Sequence, residues 1–600
     1  MVGSTHWLAS AVGMRTLEAG GNAFDAAVAA GFTLSVVEPH LNGPGGDVPV
    51  IGHRAADGRT FVVVGQGTAP AAATPLAFAA LGVDVVPGTG HLAAVVPGAF
   101  GAWLDLLARY GTLPLADVLA PAIGYARDGY PLVPAAARTI ATVADMFAAR
   151  WPTSAEVYLA HGAAPAAGAR FANPALAATF ERLLAEAAAA GPDREAQIEA
   201  ARRAFYEGFV AEAVDAFVAG TPVHDATGSA HAGFLRGDDL AAWRATEEPT
   251  VSVPFAGVEV HKTAAWGQGP VLLQQLRLLD ALGVDALVRD VVAAEARGQV
   301  AVEPTTDLAH LVTEAAKLAF ADRDAWYGDS GDVPLDALLS PAYAAERAHL
   351  VGPEADGGYR PGSPDGREPV LPRALVEARA AADGGVAAGV AAEGLGEPTV
   401  SPIGLSPGDT CHVDVVDRWG NRVSATPSGG WLQSSPVVPG LGFALPTRAQ
   451  MFWLERGLPS SLVPGTRPRT TLSPALVLGD GGTGFAFGTP GGDQQDQWTV
   501  PFLLRHLVGG ADLQAAIDGA SWHSTHVHGS FHPRTHTPRG LTVESRVGAE
   551  VLAALAARGH DVQDAGAWTL GRISAAGVRA DGLLEAAANP RGMQGYAVGR

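Results

Sequence analysis

The stretch Gly408-Asp409-Thr410-Cys411-His412-Val413-Asp414-Val415-Val416-Asp417 constrains this chain more than any other. A segment without sustained period runs into it, and an alternating strand pattern begins at Thr410. Val413, Val415 and Val423 are apolar, and Asp-Arg-Trp-Gly-Asn (417–421) supplies a turn between two short strands. A hydroxyl residue opening a buried strand just after a loose segment suggests one chemistry. If the bond before it is cut, Thr410 carries both a nucleophilic hydroxyl and an α-amine able to act as its base. An unperturbed α-amine has a pKa of roughly 7.7–8.0, so part of it is neutral near pH 7. The plain alternative is a β-former opening a hairpin.

Composition narrows the function classes. The chain has 600 residues and 48% apolar content, enough for a large core, and length alone allows three or four domains. A net charge of −21 argues against nucleic acid and anionic membranes, whose phosphates call for clustered Lys and Arg. The single cysteine, Cys411, excludes an internal disulfide and any multi-cysteine zinc site. The N-terminus shows no basic region followed by an apolar run, and the apolar run from Ala26 to Val37 is too short to span a bilayer. A soluble cytoplasmic protein is expected.

Residues 8–37 read as a helix broken by Gly20-Gly21-Asn22. The run Gly43-Pro44-Gly45-Gly46-Asp47 before a strand needs tight backbone, either as a turn or as a loop whose amides face a ligand. Residues 91–245 are largely helical, 251–263 alternate as a strand, and Leu308 to Ala319 recur at helical spacing. The charges of Asp322-Arg323-Asp324 read as a satisfied surface or a helix-end ion pair. Residues 353–407, rich in Gly, Pro, Ala, Asp and Glu, read as a mobile linker.

Gly479-Asp480-Gly481-Gly482-Thr483-Gly484 fits a dinucleotide pattern, but a strand follows where a helix should begin, so it reads as a hairpin turn. Neither a phosphate-binding P-loop nor a G-x-S-x-G elbow occurs. His523, His526, His528, His532 and His536 lack the helical pairing of a zinc protease and read as a solvated loop, so no metal and no cofactor is expected. Gly491-Gly492, after a strand and before a helix, offers paired amides suited to an oxyanion.

Several of these pieces occur in a fixed order. They are 19–30 (Ala-Gly-Gly-Asn-Ala-Phe-Asp-Ala-Ala-Val-Ala-Ala), Val-Val-Glu-Pro (36–39), Gly-Pro-Gly-Gly-Asp (43–47) and 314–323 (Glu-Ala-Ala-Lys-Leu-Ala-Phe-Ala-Asp-Arg). Gly-Asp-Thr (408–410), Arg-Pro (467–468), Leu-Ser-Pro (472–474) and Pro-Gly-Gly (490–492) follow. Together they resemble the γ-glutamyltransferase (glutathione hydrolase) family over nearly the whole chain. The resemblance implies an α/β N-terminal-nucleophile hydrolase with a four-layer αββα sandwich. It implies a precursor that cleaves itself between Asp409 and Thr410 into a large piece (1–409, with 353–409 leading to the cut) and a small piece (410–600) that stay associated as one unit. Thr410 is then the nucleophile, Ser428 the second hydroxyl supporting its amine, and Gly491 and Gly492 the oxyanion hole. Cys411 would point to the other side of the strand.

The pattern departs from the family where the substrate is held. Gln66 stands for the Arg that clamps an α-carboxylate, Trp453 for the Asp that holds an α-amine, Gly430 for an Asn, and Thr470-Thr471 for paired serines. Losing partners for both charges should weaken free γ-glutamyl recognition by orders of magnitude, since an unpaired buried charge costs roughly 2–5 kcal/mol. Gln66, Gln450, Trp453, Thr470 and Thr471 are the expected pocket lining. The substrate is a small-molecule amide, either γ-glutamyl or another carboxyamide. The early Gly-Pro-Gly-Gly-Asp loop also resembles a branch that includes amidohydrolases. A non-catalytic scaffold is the reading these retained groups argue against.

Overall fold

The computed structural model describes residues 1–159, 161–329, 331–383, 410–532, 534–591 and 595–600. Two mainly antiparallel sheets stack face to face, and helices cover both outer surfaces. The first sheet runs, in spatial order, Tyr596–Val598, Val2–Ser4, Val413–Val416, Arg422–Ala425, Val48–Arg54, Arg59–Gly65 and Thr246–Glu248. The second runs Leu584–Ala588, Ser574–Val578, Gly484–Gly488, Ala475–Leu478, Val258–Lys262 and Val251–Phe255. This is the expected four-layer αββα sandwich.

Strand alternation sorts the layers. Val50, Val63, Cys411, Val413 and Val415 face the helices of the first outer layer, among them Trp7–Glu18, Ala23–Val37 and Ala99–Tyr110. Ile51, Val62 and Val64 face the other sheet and meet Leu476 and Ala486. Val477, Phe485 and Phe487 face the second helical layer, which includes Gly269–Leu282 and Val302–Trp326. The helix Ala23–Val37 is buried on every side and starts at a capping box of Asn22 and Asp25, which follows the break at Gly20-Gly21. Gly31 lets it lie against Trp103, since a Cβ there would sit 2.3 Å from the indole.

Three sequence expectations change. Residues 251–263 form two strands, Val251–Phe255 and Val258–Lys262, because Ala256 and Gly257 adopt positive φ and turn the chain back. The Asp322-Arg323-Asp324 charges are buried rather than at the surface, for reasons given below. The linker is partly built: the Ala355 amide donates to the Arg558 carbonyl at 2.7 Å, the Gly362 amide donates to Asp322 at 2.6 Å, and Arg373–Asp383 is helical. Residues 384–409, with Asp409 and the expected scissile bond, lie outside the described residues. Among the described residues, no helix is long and apolar enough to cross a membrane.

Candidate active site

Thr410 is 1% exposed and enters the first sheet through a bridge to Ser428, ahead of the ladder that begins at Val413. Its hydroxyl lies 3.2 Å from the Ser428 hydroxyl. The early glycine loop holds that pair in place. The amides of Asp47 and Ser428 each donate to the other's carbonyl, at 2.8 and 2.9 Å. Only glycine fits at position 46, because a Cβ would meet the Ser428 carbonyl oxygen at 2.1 Å. Behind the loop, Arg448 Nε donates to Asp47 Oδ2 at 2.9 Å with both side chains fully buried. Burial pushes the Asp47 carboxyl above its ordinary value, against the pull of Arg448.

The strand's two faces separate two chemistries. Cys411 points into the helical layer, where its thiol donates to Glu38 and accepts from Asn42, each at 3.0 Å. Burial, then the Glu38 charge, drives the thiol well above its ordinary pKa, so the protonated sulfur is a poor nucleophile. His412 points between the sheets. Its Nε2 lies 2.9 Å from Asp414 and its Nδ1 3.0 Å from the Thr426 hydroxyl. Ser424 and Ser574 complete this buried network, with Ser574 donating to Asp414 at 2.6 Å and Ser424 to the Phe487 carbonyl at 2.9 Å.

That network ties the Thr410 strand to the strand Gly484–Gly488, which leads directly to Gly491-Gly492. Gly488 packs on the His412 ring so closely that a Cβ would sit 2.3 Å from it. Gly491 (φ 124°) and Gly492 (φ 51°) then turn the chain into the helical segment that follows, Gln495–Leu503.

The residue after Gly492 opens a charged cluster. Asp493 pairs with Arg323, whose Nε also donates to Asp324 at 2.9 Å. Asp493 Oδ2 accepts from the Ser530 amide at 2.7 Å. Arg469 donates to the Ser530 hydroxyl at 3.0 Å and lies 3.8 Å from Asp324. The helix Val302–Trp326 therefore ends in a buried lattice: Arg323 and Asp324 meet residues 469–530, while Asp322 takes the Tyr343 hydroxyl and the Gly362 amide. The histidine loop is likewise buried at His523, His526 and His528 rather than solvated, with Trp498 donating to His523 and Arg379 to His528.

The five expected pocket residues fall into two neighbouring groups. Gln66 donates to the Pro468 carbonyl at 3.4 Å, next to Arg469, Thr470 and Thr471. Arg534 donates to the Gln450 carbonyl at 2.7 Å and stacks 3.8 Å over the Trp453 ring. Thr470 is committed locally, accepting from the Leu472 amide. Among the described residues, buried Gln66 Oε1, Thr471 Oγ1, Arg469 Nη1 and Arg534 Nε have no hydrogen-bond partner. In this cluster three guanidinium groups (Arg323, Arg469, Arg534) face two carboxylates (Asp324, Asp493), a surplus of one positive charge. Burial, and next Arg323, pulls the Arg469 guanidinium down to about 10; burial, and next Arg469, pulls Arg534 to about 9. A cleft of about 550 Å³ is lined by Gln66, Trp243, Glu248, Asp329 and Arg467 among others, but not by Thr410.

Sequence reading did not single out Arg448, His412, Arg469 or Arg534. Arg469 sits inside the Arg-Pro to Leu-Ser-Pro stretch, and its charge there was the available signal.

A family model described as gamma-glutamyltranspeptidase matches residues 9–599. The acylase ACY 1 proenzyme of Pseudomonas sp. (strain SE83) is 31% identical over 98% of this chain and 91% of its own length. The oxamate amidohydrolase proenzyme of Klebsiella pneumoniae is 30% identical over 98% of this chain and 97% of its own. A solved structure of LmbA2991HD superposes with a TM-score of 0.89 at 51% identity, covering 100% of this chain and 98% of that one.

Proposed function

The chain belongs to the gamma-glutamyltranspeptidase family of hydrolases and acyl-transfer enzymes, and from that premise we propose how its own residues perform amide cleavage. Cutting the Asp409–Thr410 bond frees the Thr410 amine. That amine takes the Oγ1 proton as the oxygen attacks the substrate carbonyl. The Gly491 and Gly492 amides stabilise the oxyanion, and collapse expels the amine product with that proton. Water, or an acceptor amine, then releases the acyl group from Thr410. The Ser428 hydroxyl orients the nucleophile. The observation that carries this reading is the buried Thr410–Ser428 hydroxyl pair at 3.2 Å, held by the glycine loop. Both sheets take strands from either side of residue 410, so the two pieces would stay interlocked after the cut.

The substrate is read from the charge surplus. Arg469 Nη1 and Thr471 Oγ1 are unanswered donors, which suit a carboxylate. Trp453 supplies no carboxylate to an ammonium, and Arg534 already covers one face of its ring. The reading is a small amide bearing a carboxylate and no required α-amine, in line with relatives named as acylase and amidohydrolase. The second reading, a γ-glutamyl donor, shares the carboxylate but leaves its ammonium beside Arg534.

Intact mass of the wild type beside Thr410→Ala tests the nucleophile. The wild type should give two fragments, one beginning at Thr410, and the variant a single chain without turnover. One uncleaved chain in both overturns the assignment. Anionic amides with and without an α-amine then separate the substrate readings. Strong preference for the γ-glutamyl compound sinks the first.

A further inference from the structure

The helix Val302–Trp326 carries His310 and Glu314 one turn apart, beneath the turn that follows the helix Ala549–Ala557. That turn brings in His560. The three side chains are buried, and one ligating atom of each lies within 4.8 Å of the others. His310 Nε2 is 2.8 Å from the Gly352 carbonyl, which only accepts, so this nitrogen carries the proton and Nδ1 of the neutral ring presents a lone pair. A backbone carbonyl holding the outer N–H is how ligating histidines are commonly oriented.

Hydrogen-bond bookkeeping leaves the cluster short of positive partners. His310 Nδ1 is 2.9 Å from His560 Nε2, so the shared proton belongs to His560. That leaves His560 Nδ1 as a second lone pair, buried and without a partner. Glu314 Oε1 accepts from Lys317 Nζ at 2.5 Å, while Oε2 is buried with no partner. Buried acceptors are seldom left unanswered.

We propose that His310, Glu314 and His560 form a binding site for a divalent d-block cation of the zinc type. Glu314 would ligate through Oε2, His310 through Nδ1 and His560 through a ring nitrogen. Two imidazoles and a carboxylate, with one position left for water, form a donor set such ions favour. Where His560 ligates through Nε2 its proton moves to Nδ1, and because two nitrogens sharing a tetrahedral zinc sit about 3.3 Å apart, the rings need part by only a few tenths of an ångström. Lys317, held by Glu314 Oε1, is the opposing charge. Where the chain is divided before Thr410, a consequence that rests on the processing reading, the ion would join the two pieces. His310 and Glu314 lie on one and His560 on the other.

Full-length protein stripped with a chelator is titrated with Co²⁺ and Zn²⁺, beside Glu314→Gln and His560→Gln. Zinc-loaded wild-type crystals are measured at the zinc absorption edge. One Co²⁺ with the intense visible bands of a four-coordinate site is expected, bound at least about 100-fold more weakly by both variants. The anomalous peak should lie among the three side chains. Unchanged affinity in both variants, no peak, or a peak only at the His526–His536 loop overturns the proposal. The wild-type crystal decides the matter even if a variant fails to fold.

Discussion

Around Thr410 the polar groups are met by backbone exchange and by the buried Asp47–Arg448 pair; around Arg469 and Trp453, among the described residues, several buried donors and acceptors have no partner. On the mechanism proposed above, the first region is the reaction frame. Its geometry comes from Gly46, from the Asp47–Ser428 amide exchange and from Gly491, where only a small residue fits. On the same proposal, the second is the recognition surface. It is built from side chains that carry a surplus positive charge and unused hydrogen-bonding capacity. On that proposal, different kinds of atoms encode the frame and the recognition surface, so one can change without the other.

The frame should break hardest where its charges are closed. Asp47→Asn leaves Arg448 buried beside a neutral amide, and removing one partner of a buried pair costs about 3–5 kcal/mol. Denaturant unfolding at pH 7 measures it. Asp47→Asn combined with Arg448→Met should recover part of the loss, since no bare cation remains. If the double variant is as unstable as the sum of the single ones, the two residues act independently.

Gly491→Ala comes next. Its φ of 124° is a poor conformation for alanine, and the new Cβ would approach Trp498 to 2.4 Å. Displacing one oxyanion donor lowers kcat by about 10²–10³-fold. A variant that folds, still processes and turns over normally would remove the Gly491 amide from the chemistry.

How much of this contrast the sequence carried follows from the same division. Features written in local backbone code were legible: the hairpin around 417–421, the helix break at Gly20-Gly21, the turn at 479–484 and the strand-to-helix glycines. The family resemblance put Ser428 beside the Thr410 amine, and the structure brings the two hydroxyls to 3.2 Å. What escaped depends on partners far along the chain. Periodicity placed Asp322-Arg323-Asp324 at a helix end but could not show that Asp493, 170 residues on, would bury Arg323. The histidine run looked solvated because its prolines mark a loop, and only the fold shows Arg379 and Trp498 closing over it.

The recognition surface should respond more gently and selectively. Arg469→Met removes the unanswered donor without touching the Thr410 frame. KM for an anionic amide should rise about 30-fold, as expected for losing roughly 2 kcal/mol of a charge-assisted hydrogen bond, with kcat nearly unchanged. A neutral ester of the same acyl group should be indifferent. An equal rise in KM for both compounds would mean that Arg469 shapes the pocket rather than reads charge.

The smallest expected effect concerns the buried histidines that flank the recognition side. Burial lowers His523 to about 3 and His526 and His528 to about 2, with Arg379 adding to the shift at the latter two. An unfolded histidine titrates near 6.5. Above that pH both states hold neutral rings and the stabilisation is fully present. As pH falls from 6.5 towards 3, the unfolded chain gains protons that the fold refuses. Stability is then lost by up to about 1.4 kcal/mol per pH unit for each ring. Asp47, Asp322 and Asp496, whose carboxyls burial raises, pull the other way at lower pH, so the informative quantity is a difference. The urea midpoint of His526→Gln, followed from pH 7 to pH 5, should fall less steeply than that of the wild type by about one proton. Parallel slopes would show that His526 takes up a proton inside the fold, which requires the Arg539 amide that donates to its Nδ1 to let go, since Nε2 already faces the Gly358 carbonyl.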